Sequence, residues 1–263
     1  MGLSRYFITH PLLLTLFIAH FLSDFHWEQP LPDGQKPFSK QMMWTQFLRI
    51  TIPLVVLSLI FPEMTITNAC LVLSHIVISL VKRFLLDKSL PLSQEQGIFL
   101  ISQCAHLLVI VCFYWWFLVQ NGEEVILYQY GIDWEQLEYL LRVILFILLV
   151  TKPMNVIFKL FFSKYQVKEL SHLLLEKTTP ERVHTKQEED TVVGAGALIG
   201  NLERIIMGLF LILGQYTAIG LVFTAKSIAR YDRISKSQAF AEYYLIGSLF
   251  SIIAVVIIYF VLF

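Results

Sequence analysis

The sequence predicts an all-α, polytopic membrane protein, a bundle of about seven transmembrane helices with a range of roughly six to eight. Hydrophobic residues make up 56% of the chain and charged residues only 15%, and the mean hydropathy is +0.66. This composition is typical of a protein whose solvent is mostly lipid. Because backbone polar groups in lipid must be satisfied within their own segment, each long apolar run is predicted to be a helix.

Seven apolar runs are long enough, or nearly so, to cross roughly 30 Å of hydrocarbon. They cover residues 7–25, 47–61, 64–80, 98–119, 140–162, 205–223 and 243–263. The first run does not resemble a cleaved signal peptide, since only Arg5 precedes it and no small-residue cleavage site follows. We therefore expect it to be a permanent helix. No repeat of about 20–50 residues recurs, so a single membrane domain over residues 1–263 is the simplest organisation.

The charge and cysteine content limit the expected partners. The formal net charge is zero, which gives no reason to expect a nucleic-acid partner. The lipid bilayer is the expected surrounding, and a homo-oligomer is one option that the sequence leaves open. Cys70, Cys104 and Cys112 all lie within apolar runs, which suits small hydrophobic side chains better than a disulfide or a zinc site.

The lysine and arginine bias of the loops predicts the orientation. One face collects Lys36, Lys40, Lys82, Arg83, Lys88 and the basic segment 164–186. That face is predicted to be cytoplasmic, and the opposite face receives an acidic connection with Glu123, Glu124, Asp133, Glu135 and Glu138. With seven crossings, the basic residues Lys226, Arg230, Arg233 and Lys236 fall on the outer face. Either these cations fold into the bundle, or one of the shorter segments is re-entrant.

The longest polar stretch, residues 163–201, is predicted to be a cytoplasmic insertion. Within it, YQVKELSHLLLEK at 165–177 places Val167, Leu170, Leu173 and Leu174 on one helical face. Such a helix can pack on its own bundle, which is the simpler alternative, lie on the membrane surface, or dock a cytosolic protein partner. GAGALIG at 194–200 has Ile199 where a dinucleotide-binding fingerprint needs its third glycine, so it favours close helix packing.

Polar residues inside three apolar runs form the clearest functional pattern. His20 and Asp24 are four residues apart and share a helical face, as do Gln103 and His106, which are three apart. His75 lies in the middle of the third run. Ionisable groups within membrane helices are costly and tend to face the bundle interior, which makes them candidate functional residues.

Imidazole and carboxylate are common ligands of zinc and other divalent metals. We therefore predict a metal site formed by His20, Asp24, His75 and His106, with zinc or manganese as the cofactor. The alternative is that the histidine and aspartate of the first helix form an ordinary hydrogen-bonded structural pair and that no cofactor binds.

A second group of charges lies in the carboxy-terminal half. Lys152, Arg204, Lys226, Arg230 and Glu242 are predicted to bind an anionic substrate, because a guanidinium can contact phosphate oxygens in a bidentate manner. Alternatively, these cations form interhelical ion pairs with Glu203, Glu242 and Asp232, or extend to lipid headgroups. Pro153 directly follows Lys152 and is expected to bend its helix.

Seven motifs along the chain resemble a known family. They are HFLSD, SHIVISLVKRFL, SQCAH, TKPMNVIFKLF, GALIGNLERII, TAKSIARYD and AEYYLIGSLFS. In this order they are similar to the bacterial multi-pass inner-membrane proteins grouped as domain of unknown function 3307, a resemblance that implies no established activity. The short polar motifs also resemble YdjM-type membrane proteins, which are labelled metal-dependent hydrolases. The family resemblance implies aspartates where this chain has Ser79 and Ser102, so two potential carboxylate ligands are missing here. Their absence weakens the metal prediction and leaves a degenerate, binding-only site as an alternative.

Three functional hypotheses follow. The first is a membrane-embedded hydrolase, possessing Asp24, Gln103 and Glu203 as catalytic residues and acting on a lipid or another anionic membrane-associated substrate. The second is a non-enzymatic sensor or anchor that contacts a cytosolic partner through residues 163–201. The third is a small transporter or channel, for which discontinuous helices at Pro153 or Gly214 are the expected sign.

Overall fold

The computed structural model describes residues 10–27, 40–86, 91–122, 134–162 and 195–263, and their regular structure is helical throughout. The prediction of an all-α fold is confirmed. Five stretches are long and apolar enough to cross a membrane: Pro62–Leu86, Ser93–Asn121, Glu135–Phe162, Ala195–Ile212 and Gln238–Leu262. Three shorter apolar helical stretches accompany them, at Pro11–His26, Trp44–Ile60 and Tyr216–Ala229. The protein is therefore a membrane protein, while the predicted amphipathic helix at 165–177 lies outside the described residues.

The first of two compact units comprises Met1–Leu149 and Val261–Phe263. Its helices are α1 (Pro11–Phe21), α2 (Lys40–Ile60), α3 (Thr65–Leu86), α4 (Leu92–Asn121) and nearly all of α5 (Trp134–Val150). A π-helical segment, Leu22–His26, continues α1, and a 3₁₀ turn, Pro62–Met64, joins α2 to α3. Two compact units can form one membrane domain or two, so the single domain stays a prediction.

Helix α1 lies in the interior of the first unit. It packs against α2 and α4, and α3 in turn packs against α2 and α4. Leucine side chains around all sides of α1 are buried, including Leu12, Leu13, Leu14 and Leu16. By contrast, α2, α3 and α4 expose apolar side chains outward, among them Leu59, Ile66, Leu73, Ile101 and Leu108. The three outer helices therefore present a lipid-compatible surface, and α1 is enclosed by protein.

Pro53 lies inside α2 and leaves one backbone carbonyl of that helix without its usual hydrogen-bond donor. Pro53 has no N–H, so the carbonyl oxygen of Arg49, four residues earlier, loses its usual helical donor. The hydroxyl oxygen of Ser23 lies 3.0 Å from this oxygen and 2.7 Å from Ala19 O, so its single hydrogen is shared between the two carbonyls. In an apolar environment such side-chain donors replace the backbone hydrogen bond that proline removes. This contact joins the π-helical segment to α2.

The second compact unit comprises Val150–Phe260. It contains α6 (Lys152–Phe162), α7 (Ala195–Ile212), α8 (Tyr216–Ala229), α9 (Tyr231–Lys236) and α10 (Gln238–Leu262), whose last two residues belong to the first unit. Phe158 of α6 packs against the rings of Tyr243 and Phe250 of α10. A Cβ atom on Gly247 would lie 3.3 Å from the Phe158 ring, so glycine permits this close approach.

The predicted single helix over 205–223 is wrong, because the chain reverses at Gly214. Gly214 has a φ of +69°, and α7 ends there in a Schellman motif, with Gly214 N donating to Leu211 O and Gln215 N donating to Phe210 O. Nζ of Lys226 in α8 lies 2.6 Å from Oε2 of Glu203 in α7. Since these two residues are nearly equidistant from Gly214 along the chain, α7 and α8 form an antiparallel hairpin.

The hairpin changes the count of crossings on which the predicted orientation depends, and the orientation itself stays a prediction. The chain returns to the side on which α7 began, so the basic residues from Lys226 to Lys236 lie on the same side as Ala195. The seven-crossing count had put them on the outer face. Both alternatives considered for these cations have support in the structure: the segment turns back at Gly214, and Lys226 folds onto α7 through its ion pair with Glu203.

Two further predictions concern α5 and α6. Glu138 was assigned to an acidic connection, but it is buried within α5 and pairs with Arg142 one turn later. That prediction is wrong because the ion pair neutralises the carboxylate and allows the helix to begin at Trp134. The bend expected at Pro153 stays a prediction, but the helix is interrupted close to this proline, since α5 ends at Val150 and α6 begins at Lys152.

Candidate functional site

Three buried histidines from three helices meet inside the first unit. His20 comes from α1, His75 from α3 and His106 from α4, and each side chain is at most 4% exposed. One potential ligand nitrogen from each ring lies within 4.8 Å of the others. The rings of His75 and His106 stack with centroids 4.2 Å apart, and the ring of His20 lies 5.1 Å from that of His106. The structure therefore brings together three of the four predicted metal ligands as one cluster.

Asp24, the fourth predicted ligand, lies beside the histidines and accepts hydrogen bonds. Its Oδ1 is 3.0 Å from His75 Nε2, and its Oδ2 accepts from Gln103 Nε2 at 3.1 Å. The other end of the Gln103 amide, Oε1, lies 3.3 Å from His20 Nε2. A chain of hydrogen bonds thus runs from His75 through Asp24 and Gln103 to His20.

The polarity of this chain follows from its members. Gln103 Nε2 can only donate, so Gln103 Oε1 is the acceptor and His20 Nε2 is the donor. Asp24, as a carboxylate, accepts from His75 Nε2. In the neutral rings of His20 and His75, the second nitrogen, Nδ1, is then unprotonated, and its lone pair can bind a metal ion. His20 Nδ1 is buried and has no hydrogen-bond partner among the described residues.

The π-helical segment positions Asp24. Trp27 N donates to Leu22 O at 2.9 Å, a span of five residues that is one wider than in an α-helix. The widened turn shifts the register of Leu22–His26 relative to α1. Spacing alone put His20 and Asp24 on one face of a regular helix, whereas the structure places them at the junction of two helix types.

A small cavity adjoins the histidines. It has a volume of about 20 Å³ and is lined by His20, His75, His106, Ser74 and apolar side chains such as Leu16, Leu54 and Ile110. A volume of roughly 10–15 Å³ holds one water molecule. Room therefore exists beside the three imidazoles for about one water or one ion.

Two serines next to the cluster histidines on α3 and α4, Ser79 and Ser102, are also buried. Ser79 lies one turn beyond His75 on α3, and Ser102 lies one turn before His106 on α4. The hydroxyl of Ser102 donates to Phe99 O of its own helix at 2.8 Å. These side chains supply no carboxylate near the cluster, so the nitrogen ligands are mainly responsible for any metal binding.

The predicted substrate-binding residues lie in the second unit. Arg204, Lys226 and Arg230 line one cavity there, together with Glu203. Glu203, predicted as catalytic, is the ion-pair partner of Lys226. Lys152 and Glu242 are exposed and do not line this cavity. Glu242 accepts a hydrogen bond from Gln238 at 3.0 Å.

Sequence analysis missed two residues that line this second cavity, Asn155 and Lys159, and the neighbouring Asn201. Asn155 lies on α6 and Asn201 on α7, and their amides hydrogen-bond each other at 2.9 Å. Lys159 lines the cavity one turn after Asn155. Uncharged amides within apolar runs were the available signal, since a buried amide in a membrane helix also needs a partner.

Comparison with known proteins gives one match. Residues 12–133 match the family model described as protein of unknown function (DUF3307). No curated protein and no solved structure matches the chain. The matched region contains the three clustered histidines, His20, His75 and His106, together with Asp24 and Gln103. Over residues 12–133, a little under half of the chain, the protein is therefore similar to the DUF3307 family.

Proposed function

We propose that this protein is a membrane-embedded, metal-dependent hydrolase whose divalent ion is bound by His20, His75 and His106. The observation that supports this function most directly is the meeting of three buried imidazoles, from three helices, with ligand atoms within 4.8 Å. Burying three polar rings in an apolar bundle is costly unless they gain partners. A shared cation, zinc or manganese, is the partner that uses all three at once.

A site with three histidine ligands is more typical of a catalytic metal ion than of a structural one. Structural zinc sites use four protein ligands, whereas catalytic sites have three and keep one position for water or substrate. The cavity of about 20 Å³ beside the rings has room for that water. A bound divalent ion would supply activation of this water for attack on an ester or phosphoester bond.

Asp24 and Gln103 act as positioning residues in this proposal. A metal-binding histidine usually donates its second N–H to a carboxylate or carbonyl, which fixes the tautomer and the ring orientation. Asp24 does this for His75, and the carbonyl oxygen of Gln103 does it for His20. Zinc–nitrogen bonds of about 2.0–2.1 Å place two nitrogens of one tetrahedral site roughly 3.4 Å apart. Metal loading is therefore expected to draw the three rings closer together.

The substrate is proposed to be a lipid or another anionic, membrane-associated molecule in the bacterial inner membrane. The histidines lie among apolar residues such as Leu16, Leu54 and Val109, so a substrate reaches them from lipid more readily than from water. The alternative role as a sensor or anchor depends on residues 163–201, of which only 195–201 are described. That role, with its cytosolic partner, stays a prediction.

Metal content is the direct test. Detergent-purified wild-type protein is analysed by elemental mass spectrometry beside His20→Ala, His75→Ala and His106→Ala. His26→Ala is the matched control, because His26 follows closely in the chain but contacts Phe21 O rather than the cluster. We expect about one zinc or manganese per chain in the wild type and the control, and none in the three variants.

A second assay connects the metal to hydrolysis. The wild type in nanodiscs is supplied with fluorogenic lipid esters and phosphoesters, before and after removal of metal with a chelator. Release of product that stops on chelation and returns with zinc or manganese supports the proposal. Wild-type protein that is folded and free of metal overturns it, as does equal metal content in the His75→Ala variant.

One observation favours a transporter as a second candidate function. The span Glu135–Phe162 is interrupted between Val150 and Lys152, and the carbonyl of Val150 accepts a hydrogen bond from buried Arg204. Interrupted helices with charged side chains at the break are typical of transporter binding sites. Gly214 gives no such support, since its break is a hairpin turn. Anion flux into proteoliposomes that disappears in Arg204→Gln would favour this candidate.

A further inference from the structure

The second unit contains a cavity of about 450 Å³, large enough for a small organic anion. Four helices contribute to it: α6, α7, α8 and α10. The cationic lining residues are Lys159, Arg204, Lys226 and Arg230, and the acidic one is Glu203. Aromatic residues of α6 and α10, including Phe158, Phe240 and Tyr243, form an apolar part of the wall.

Arg204 is the central cation of this cavity. It is only 4% exposed, yet its acceptors are all uncharged. Nε donates to Val150 O, Nη2 donates to the side-chain oxygens of Asn155 and Asn201, and Nη1 lies 3.5 Å from Ser251 Oγ. A guanidinium has five N–H groups, so these four acceptors leave one N–H of Nη1 available.

The positive charge of Arg204 is not neutralised within the described part of the chain. None of the carboxylates there forms an ion pair with Arg204. The carboxylate of Glu203, the residue before Arg204, forms its ion pair with Lys226, with Oε2 2.6 Å from Nζ. A buried cation in a membrane bundle needs a counter-charge to offset its desolvation.

Two more cations increase the positive charge at the same cavity. Arg230 ends the hairpin after α8, and Lys159 lies on the exposed side of α6. Neither forms an ion pair with a described carboxylate. Glu203 and Lys226 neutralise each other. None of the described carboxylates pairs with the other three cations, Lys159, Arg204 and Arg230. This excess of positive charge favours a ligand with more than one negative charge.

We propose that this cavity binds a phosphate monoester group. Phosphate provides the charge and the several acceptor oxygens that guanidinium and ammonium groups bind most strongly. The aromatic wall favours a phosphate attached to an apolar chain, as in an anionic lipid, over free phosphate. The site lies wholly within the second unit and shares no residue with the histidine cluster, so it does not depend on the proposed metal site.

Equilibrium binding of a fluorescent short-chain phosphatidic acid to the detergent-purified full-length chain tests the proposal. Unlabelled phosphatidic acid, inorganic phosphate and diacylglycerol serve as competitors. We expect phosphatidic acid to displace the probe and diacylglycerol, which lacks phosphate, to leave it bound. Displacement by millimolar inorganic phosphate at a similar potency would identify free phosphate as the source of the group.

Charge-removing variants locate the site. Lys159→Gln combined with Arg230→Gln should weaken binding of the probe by about tenfold or more, the equivalent of one charge-assisted hydrogen bond. Lys152→Gln combined with Lys236→Gln is the control, since it removes the same two positive charges from outside the cavity. Arg204→Gln should abolish binding, and the double variant of Lys159 and Arg230 decides the matter if Arg204→Gln does not fold. Equal binding by the double variant and the control, or displacement by diacylglycerol, overturns the proposal.

Discussion

The carboxylate oxygen Oδ1 of Asp24 lies 3.0 Å from Nε2 of His75. The two residues are far apart in the sequence and meet because α1 is enclosed by the helices around it. Asp24 has its second oxygen occupied by Gln103, so one carboxylate organises side chains of α3 and α4 at once. This contact explains why an acidic residue is tolerated inside an apolar bundle.

The first prediction concerns Asp24. Replacement by asparagine removes the charge and one acceptor, while the side-chain volume stays nearly the same. The affinity of the site for zinc should fall roughly ten- to a hundredfold, as for other residues that orient metal ligands. Competition with a chromophoric chelator measures this affinity, and an unchanged value in a folded Asp24→Asn variant would contradict the positioning role.

The second prediction concerns the contact between Ser23 and the Arg49 carbonyl. Ser23→Ala leaves that carbonyl without a donor and should lower the free energy of unfolding by about 1–3 kcal/mol. Pro53→Ala restores a backbone N–H four residues after Arg49, so the same serine change should cost less in that background. Thermal unfolding of the four proteins of this cycle gives the coupling, and simple additivity would argue against the proposed pairing.

The third prediction uses two glycines as a matched pair. A Cβ atom added at Gly214 or at Gly220 would meet no described residue outside its own helix turn within 4 Å, so space is available at both positions. Gly214 has a positive φ, and alanine there should destabilise the protein by about 1–2 kcal/mol. Gly220 lies inside α8, where alanine should be neutral or stabilising by about 0.5–1 kcal/mol. Similar unfolding temperatures for the two variants would contradict the turn geometry.

The fourth prediction concerns the ion pair inside α5. Glu138 is 4% exposed and bonds Arg142, which also donates to Leu262 O at 3.2 Å. Glu138→Gln leaves a buried guanidinium without its counter-charge and should cost about 3 kcal/mol or more. Glu135→Gln, on the exposed side of the same helix, should change stability by less than about 0.5 kcal/mol. Denaturation in mixed micelles compares the two.

The fifth prediction concerns the side of the membrane reached by α9. In a background without native cysteines, Ser171→Cys and Ser235→Cys should react with a membrane-impermeant thiol reagent from the same side. This result follows from the hairpin, which returns the chain to the side where α7 begins. Labelling from opposite sides would instead support a single crossing over 205–223.

The histidine cluster was largely predictable from the sequence. Polar side chains inside apolar runs must face inward, and a four-residue spacing identifies which ones share a face. His20, His75 and His106 all satisfied the first condition, His20 also satisfied the second through Asp24, and the three histidines do meet. The bridging role of Gln103 and the π-helical register of Asp24 depend on how neighbouring helices pack, which no periodicity within one segment encodes.

The hairpin was not predicted because the apolar run is continuous through the turn. A hydropathy profile averages side-chain polarity and contains no information on the sign of φ. The helix end at Gly214 was therefore not visible in the profile. The available local signal was a glycine followed by Gln215 in an otherwise apolar run, which is the pattern of a helix end. Glu138 was misassigned for a related reason, since its charge alone suggested a loop while its partner, Arg142, one turn later indicated a helix.

The enclosure of α1 has a consequence for biogenesis. During synthesis α1 leaves the ribosome before α2, α3 and α4, yet its His20 and Asp24 find their partners only on α3 and α4. Until those helices are inserted, α1 would expose a histidine and an aspartate to lipid at considerable cost. We therefore expect the nascent α1 to remain in the insertion machinery until α3 and α4, which carry its partners, have been made.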